Sequence, residues 1–132
     1  MIEEYHYGFI TIDGKNFTYD VEVRWTPEES LRDPTRQAGE VLKWWREESH
    51  IIDVADVKRA IEQNPDTIII GIGEVGGAKV TEAAKKEITS KGIKLIIDIT
   101  GEATKTFNII NGESEEEEGE QKKAIGLFHL TC

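Results

Sequence analysis

The stretch from Thr67 to Ile99 constrains the fold more than any other. A continuous apolar run, Thr67-Ile-Ile-Ile-Gly-Ile72, leads into Gly71-Ile-Gly-Glu-Val-Gly-Gly77, and a second run, Ile93-Lys-Leu-Ile-Ile-Asp-Ile99, follows a helical segment. Apolar runs of this length bounded by turn residues suit strands covered on both faces, as in a parallel sheet between helices. Between them, Thr81 is placed to cap a helix running to Lys91, and Gly92 sits where a left-handed residue closes a helix. The segment predicts one βαβ unit with a glycine loop at its first turn.

The flanks extend this unit. Residues 4 to 25 read as a hairpin about Asp13-Gly14, because Phe17, Tyr19, Val21, Val23 and Trp25 alternate with Thr18, Asp20, Glu22 and Arg24. Gly8 interrupts the phase of the first strand as a bulge would. Residues 26 to 46 sustain no period, and Pro27 and Pro34 break them further, so they read as a long excursion with one irregular helical turn. Asp53 is an N-cap candidate for a helix to about Gln63, stopped by Asn64-Pro65. Thr100 is a candidate cap for a third helix to Asn111-Gly112, with Ala103, Phe107 and Ile110 on one face. Ala124 to Leu130 reads as a final strand. These elements add up to an α/β domain built on a βαβ unit, with an N-terminal hairpin and a final strand.

With 132 residues the chain has room for one domain, 1–132, and a core that needs no staples. Its single cysteine, Cys132, excludes an intramolecular disulfide and suggests a reducing cytoplasm. No apolar run reaches the ~18 residues of a membrane span, and Met-Ile-Glu-Glu does not start like a signal peptide, so the expectation is a soluble, untargeted protein with no membrane partner. A formal charge of -10 argues against nucleic acid. Six of the glutamates lie in Glu113-Ser-Glu-Glu-Glu-Glu-Gly-Glu120, and taking six negative charges from -10 leaves -4 for the body. Residues 112–122 are therefore read as a flexible, solvated acidic loop.

Three clusters could carry chemistry. Gly71, Gly73 and Gly76 spell G-x-G-x-x-G between strand and helix, where backbone amides can cradle a pyrophosphate, and Asp98 falls roughly where a ribose-binding acid would sit. Against this, a dinucleotide fold needs two such halves, Gly77-Ala-Lys79 moves the helix away, and Glu74 places an anion in the cradle. A tight structural turn is the plainer reading. His129 and Cys132 suggest a thiol and base, yet residues three apart on a strand point to opposite faces, and zinc would need four ligands that His6 and His50 do not complete. A tail with a hydrogen-bonded histidine is the expectation, with no metal and no cofactor. Trp44-Trp45-Arg46 with His50 could form a binding surface, or one Trp could seal the core while the other is exposed.

The order Trp45-Arg46-Glu47, His50, Asp56-Val57-Lys58, Asp66 to Gly73, Lys91-Gly92-Ile93, Thr100 through Asn108 and His129-Leu-Thr-Cys132 resembles the adipogenesis-associated small-domain family, whose wider relatives include mitochondrial respiratory complex I assembly factors. The resemblance covers residues 44 to 132 well and the N-terminal hairpin in outline. It implies a three-layer α/β domain, with a mixed central sheet flanked by helices and an added N-terminal β-hairpin, in agreement with the elements read above, but it implies no activity; its animal members are associated with regulation and assembly. Residues 113 to 120 look like an insertion relative to it, and 26 to 41 have no clear counterpart. The functional expectation is a non-enzymatic interaction or assembly module with a protein partner, self-association left open, using the glycine-turn rim with Trp44, Trp45, Arg46 and His50. The alternative is a site, enzymatic or not, for an anionic ligand or nucleotide at the 71–77 loop, drawing on Arg46 and Lys79; Asp98, Thr100, His129 and Cys132 are further candidates.

Overall fold

The computed structural model describes residues 1–27, 39–113 and 122–132, apart from the side chain of Glu113. The expectations for the acidic loop and for most of the 26–41 excursion thus fall on residues outside those described. The N-terminus forms a three-stranded antiparallel sheet of β1 (Ile2–His6), β2 (Phe9–Ile12) and β3 (Lys15–Phe17). Asp13 and Gly14, with φ of 51° and 79°, make the β2–β3 turn. Gly8 is a turn residue at φ 87° between β1 and β2, not the bulge its position suggested; the register shift lies between Ile2 and Glu4.

The central sheet is mixed, in the order β5 (Val41–Lys43), β4 (Val21–Arg24), β10 (Ala124–His129), β7 (Thr67–Ile72), β9 (Lys94–Asp98). β10, β7 and β9 are parallel, whereas β4 runs antiparallel to β10 and β5 antiparallel to β4. The alternation from Phe17 to Trp25 therefore does not make one strand. It breaks at Thr18 to Asp20, so that β3 stays in the N-terminal sheet while β4 enters the central one. β5 forms where no strand was expected. β9 is the edge of the sheet and only half-buried, rather than covered on both faces.

Between β5 and β7 come β6 (Ile51–Ile52) and α1 (Val54–Glu62); between β7 and β9 come β8 (Lys79–Val80) and α2 (Glu82–Ser90); α3 (Thr100–Glu113) joins β9 to β10. β6 and β8 pair in parallel. The caps follow the residue chemistry. Asp53 accepts from Val54 N–H and forms a capping box with Asp56, Thr81 accepts from Ala84 N–H, and Gly92 takes φ 77°.

Two cores separate three layers. On one face Ile2, Ile10, Ile12, Val21, Val23, Ile69, Ala103, Phe107, Phe128 and Leu130 pack the sheet against α3 and the N-terminal strands. On the other, Trp44, Ile52, Val57, Ile68, Ile70, Ile88, Ile125 and Leu127 pack it against α1 and α2. Asn108 clamps β1 to α3 through both the N–H and the carbonyl of Ile2 (3.0 and 2.7 Å). Glu22 departs from the polar-outside reading of β4. It is buried and meets Arg24 (2.9 Å) and Arg59 of α1 (3.0 Å), which ties helix to sheet.

Candidate functional site

The parallel strands end on one rim, and most of the sequence-picked residues meet there. Gly71 has no side chain to hold α3 away: a Cβ would lie 2.9 Å from the Thr100 hydroxyl and 3.1 Å from the Phe128 ring. Thr100 does not cap α3 but is its first residue, and its hydroxyl points into the fold. It donates to the His129 carbonyl (2.6 Å) and accepts from Gly73 N–H (2.9 Å). One buried hydroxyl thus joins α3, the glycine loop and the end of β10.

The glycine loop is filled by the chain's own tail. Glu74 N–H donates to the Thr131 carbonyl (2.7 Å), Gly77 N–H to the main-chain oxygen of Cys132 (2.6 Å), and Gly76 N–H to the Gly73 carbonyl (3.4 Å). A Cβ on Gly73 or Gly77 would come within 2.4 or 2.2 Å of that Cys132 oxygen, and Gly73 and Gly76 also hold φ of 103° and 74°. The glycines permit a close approach, as in a phosphate cradle, but the oxygens they receive belong to residues 131 and 132. Asp98 accepts from Ile99 N–H (2.8 Å), a local turn at the end of β9.

Beneath the tail lies a polar cluster. Asp20, at the break between β3 and β4, accepts from Leu130 N–H (2.8 Å), pairs with the Arg46 guanidinium and lies 2.8 Å from His129 Nδ1. Arg46 Nη2 is also 2.8 Å from that nitrogen. One ring nitrogen cannot donate and accept at once; donation from Nδ1 to the carboxylate satisfies both residues and leaves Nε2 facing the Thr131 hydroxyl (3.3 Å). Arg46 also donates to the Ser49 carbonyl (2.6 Å) and stacks 4.6 Å from the Trp44 ring. Its side chain is 4% exposed, and its buried Nε has no hydrogen-bond partner among the described residues. Burial drives the Asp20 pKa upward, but the His129 and Leu130 hydrogen bonds and the positive charge of Arg46 outweigh it and hold the carboxyl below the usual carboxylate value.

The other candidates divide. Trp44 fills the second core and donates its indole N–H to the Asp56 carbonyl (2.9 Å), while Trp45 is 74% exposed. Arg46 is turned inward and is no free cation for an anionic ligand. The thiol of Cys132 does not meet His129. It faces His50 Nε2 at 3.9 Å and the Tyr7 hydroxyl at 3.8 Å, both long contacts at the surface. Tyr7 is pushed above the ordinary tyrosine pKa, first by its contact with Cys132. Tyr5 donates to the Leu130 carbonyl (3.0 Å), and burial, with Glu74 nearby, raises its pKa to about 12. Among the described residues no group of three or more His, Cys, Asp or Glu side chains converges to hold a metal.

Sequence reasoning missed Asp20, Tyr5 and Tyr7. Asp20 occupied the solvent phase of an apparent strand, and a carboxylate there looks like any solvated residue. Among the described residues no helix is long and apolar enough to cross a membrane.

The fold recurs in solved structures. A conserved hypothetical protein from Pyrococcus horikoshii is 23% identical with a TM-score of 0.71, covering 100% of this chain and 99% of its own. A Bartonella henselae structure described as an outer membrane protein is 16% identical (TM-score 0.68; 99% and 94% covered), and a Bordetella parapertussis protein 18% (0.67; 96% and 93%). At these identities the likeness is one of fold. The family match begins at residue 2, so it takes in the N-terminal strands as well as the βαβ unit, and with residues 2–117 matched the chain belongs to the family described as protein of unknown function (DUF498/DUF598).

Proposed function

We propose that the chain is a non-enzymatic interaction or assembly module that binds a protein partner at the rim of the parallel strands. The observation that carries this reading is an apolar rim around a loop whose amides are already occupied. Val75 is 77% exposed, exposed Ile99 lies against Gly76 and exposed Tyr7 against Cys132, and the amides of Gly73, Glu74, Gly76 and Gly77 each have an internal acceptor. A ligand cradle offers donors; this rim offers apolar area, which suits a protein surface. The proposal extends to a kinship with the adipogenesis-associated and complex I assembly proteins that the sequence resembles, and to a reducing cytoplasm, which suits the exposed, unpaired thiol of Cys132.

Recovery of the tagged chain from its native cell is expected to bring down a stoichiometric protein, lost with Val75→Glu and Ile99→Lys. Trp45→Ala reports whether that exposed ring belongs to the same surface. No stoichiometric partner, or one indifferent to all three changes, overturns the proposal. The competing reading, an anionic ligand or nucleotide at residues 71–77, requires the tail to leave the loop. A thermal-shift screen separates the two, since a ligand at 100 times its Kd stabilises by about 2.7 kcal/mol.

A further inference from the structure

β9 lies at the edge of the central sheet, paired in parallel with β7 on one side and with no strand on the other among the described residues. Lys94 N–H donates to the Asp66 carbonyl beside β7 (3.0 Å). By the alternation of a strand, the backbone groups of Lys94, Ile96 and Asp98 face β7, and those of Leu95 and Ile97 face outward. The strand contains neither proline nor bulge. Between exposed Lys94 and Asp98 it carries three half-buried apolar residues, Ile96 toward the α3 core and Leu95 and Ile97 toward the α1/α2 core. Such an edge is competent to accept a further strand.

We propose that β9 pairs antiparallel with β9 of a second copy of this chain, about a two-fold axis beside Ile96, joining two central sheets. In this register Leu95 lies opposite Ile97 of the partner subunit, and the outward backbone groups exchange four hydrogen bonds. Ile96 meets Ile96 of the partner subunit in the closer, non-hydrogen-bonded pairing, and Lys94 lies opposite Asp98 of the partner subunit at both ends. The sequence Lys-Leu-Ile-Ile-Asp is its own charge complement only when antiparallel; a parallel pairing sets lysine against lysine and aspartate against aspartate. Asp98 Oδ1 accepts from Ile99 N–H, which leaves Oδ2 for the lysine. Lysine on an edge strand ordinarily discourages pairing, and here the matching aspartate makes it select a register and a partner. This edge adjoins the Val75 rim at Ile99, next to Asp98, but the pairing uses Lys94 to Asp98 and does not rest on the reading given to that rim.

Sedimentation of the full chain tests the pairing. Wild type is expected to dimerise below about 1 mM, the weak regime of a small interface. Lys94→Asp and Asp98→Lys each place like charges opposite at both ends, and each should raise the dimer Kd about tenfold or more. Mixing the two variants restores both pairs in a heterodimer and should recover the wild-type Kd. Amide exchange in wild type gives a second readout that needs no variant: Leu95 and Ile97 should gain protection as concentration rises. A wild type monomeric throughout, a dimer indifferent to both charge changes, no recovery on mixing, or Leu95 and Ile97 amides that stay unprotected in the dimer each overturns the proposal.

Discussion

The two ends of the parallel strands use similar residues and are held by different physics. At the end where these strands begin, Asn64 and Gly92 take positive φ, and neighbouring backbones meet directly: Asp66 N–H to Lys123 carbonyl and Lys94 N–H to Asp66 carbonyl. A shallow depression there is lined by Ile61, Glu62, Pro65, Asp66, Lys91 and Ile93. At the end where the strands finish, Asp20, Arg46, Gly73, Thr100 and His129 are joined by side-chain hydrogen bonds spanning up to 110 residues. The first end is made by turns and exposed backbone hydrogen bonds, and the second by largely buried side-chain hydrogen bonds between distant residues. Substitution should therefore be tolerated at the first and costly at the second.

The sharpest way to break this contrast is Asp20→Ala against Asp66→Ala. The first strands the buried Arg46 charge and should cost about 3–5 kcal/mol in urea unfolding; the second removes an exposed carboxylate bonded to Lys123 N–H and should cost about 1 kcal/mol or less. Equal losses would remove the distinction. Thr100→Val deprives Gly73 N–H and the His129 carbonyl of a buried partner, and should cost about 1–3 kcal/mol with little change in volume. Gly77→Ala and Gly92→Ala separate crowding from backbone strain. At Gly92 the space is open and only φ is wrong, so about 1 kcal/mol is expected, whereas at Gly77 the new Cβ must expel Cys132. Faster amide exchange at Glu74 and Gly77 in the Gly77→Ala variant would show the tail leaving.

Acid probes the same cluster. Asp20 has a lowered pKa in the fold, so its contribution is present above the ordinary carboxylate value near 3.9 and is lost as pH falls through the folded value. Unfolding free energy measured against pH should therefore drop in acid more steeply for wild type than for Asp20→Asn. Tyr5 supplies the smallest effect and the opposite sign. Its pKa is raised to about 12, so the neutral phenol's contribution is complete below pH ~10 and lost as pH climbs toward 12. Spectrophotometric titration should show a phenol titrating near pH 12 that Tyr5→Phe removes while the raised titration of Tyr7 remains.

The βαβ unit was legible because its signals are local. Asp53, Thr81 and Gly92 act within one turn of the helices they bound, and the Ile68–Ile70 run is apolar on both faces because both faces are covered. The N-terminal strands were half legible. The alternation from Phe17 onward marks extended chain but carries no information about which sheet it joins, and it cannot show that Asp20 ends one pairing so that Val21 can begin another. The site was legible as a set of unusual residues and not as a constellation. Cys132 meets His50 rather than His129, and Arg46 is spent on Asp20.

The glycine loop shows the division most clearly. The amino-acid sequence by itself determined that a buried strand ends in a turn only glycine can make, because φ above zero and the absence of a Cβ are properties of single residues. Tertiary structure alone decided what approaches those glycines. β10 inserts between β4 and β7, and that distant pairing carries Thr131 and Cys132 onto the loop, where their oxygens take the amides that would otherwise face solvent. Local chemistry sets what a segment can do, and long-range packing sets what it meets.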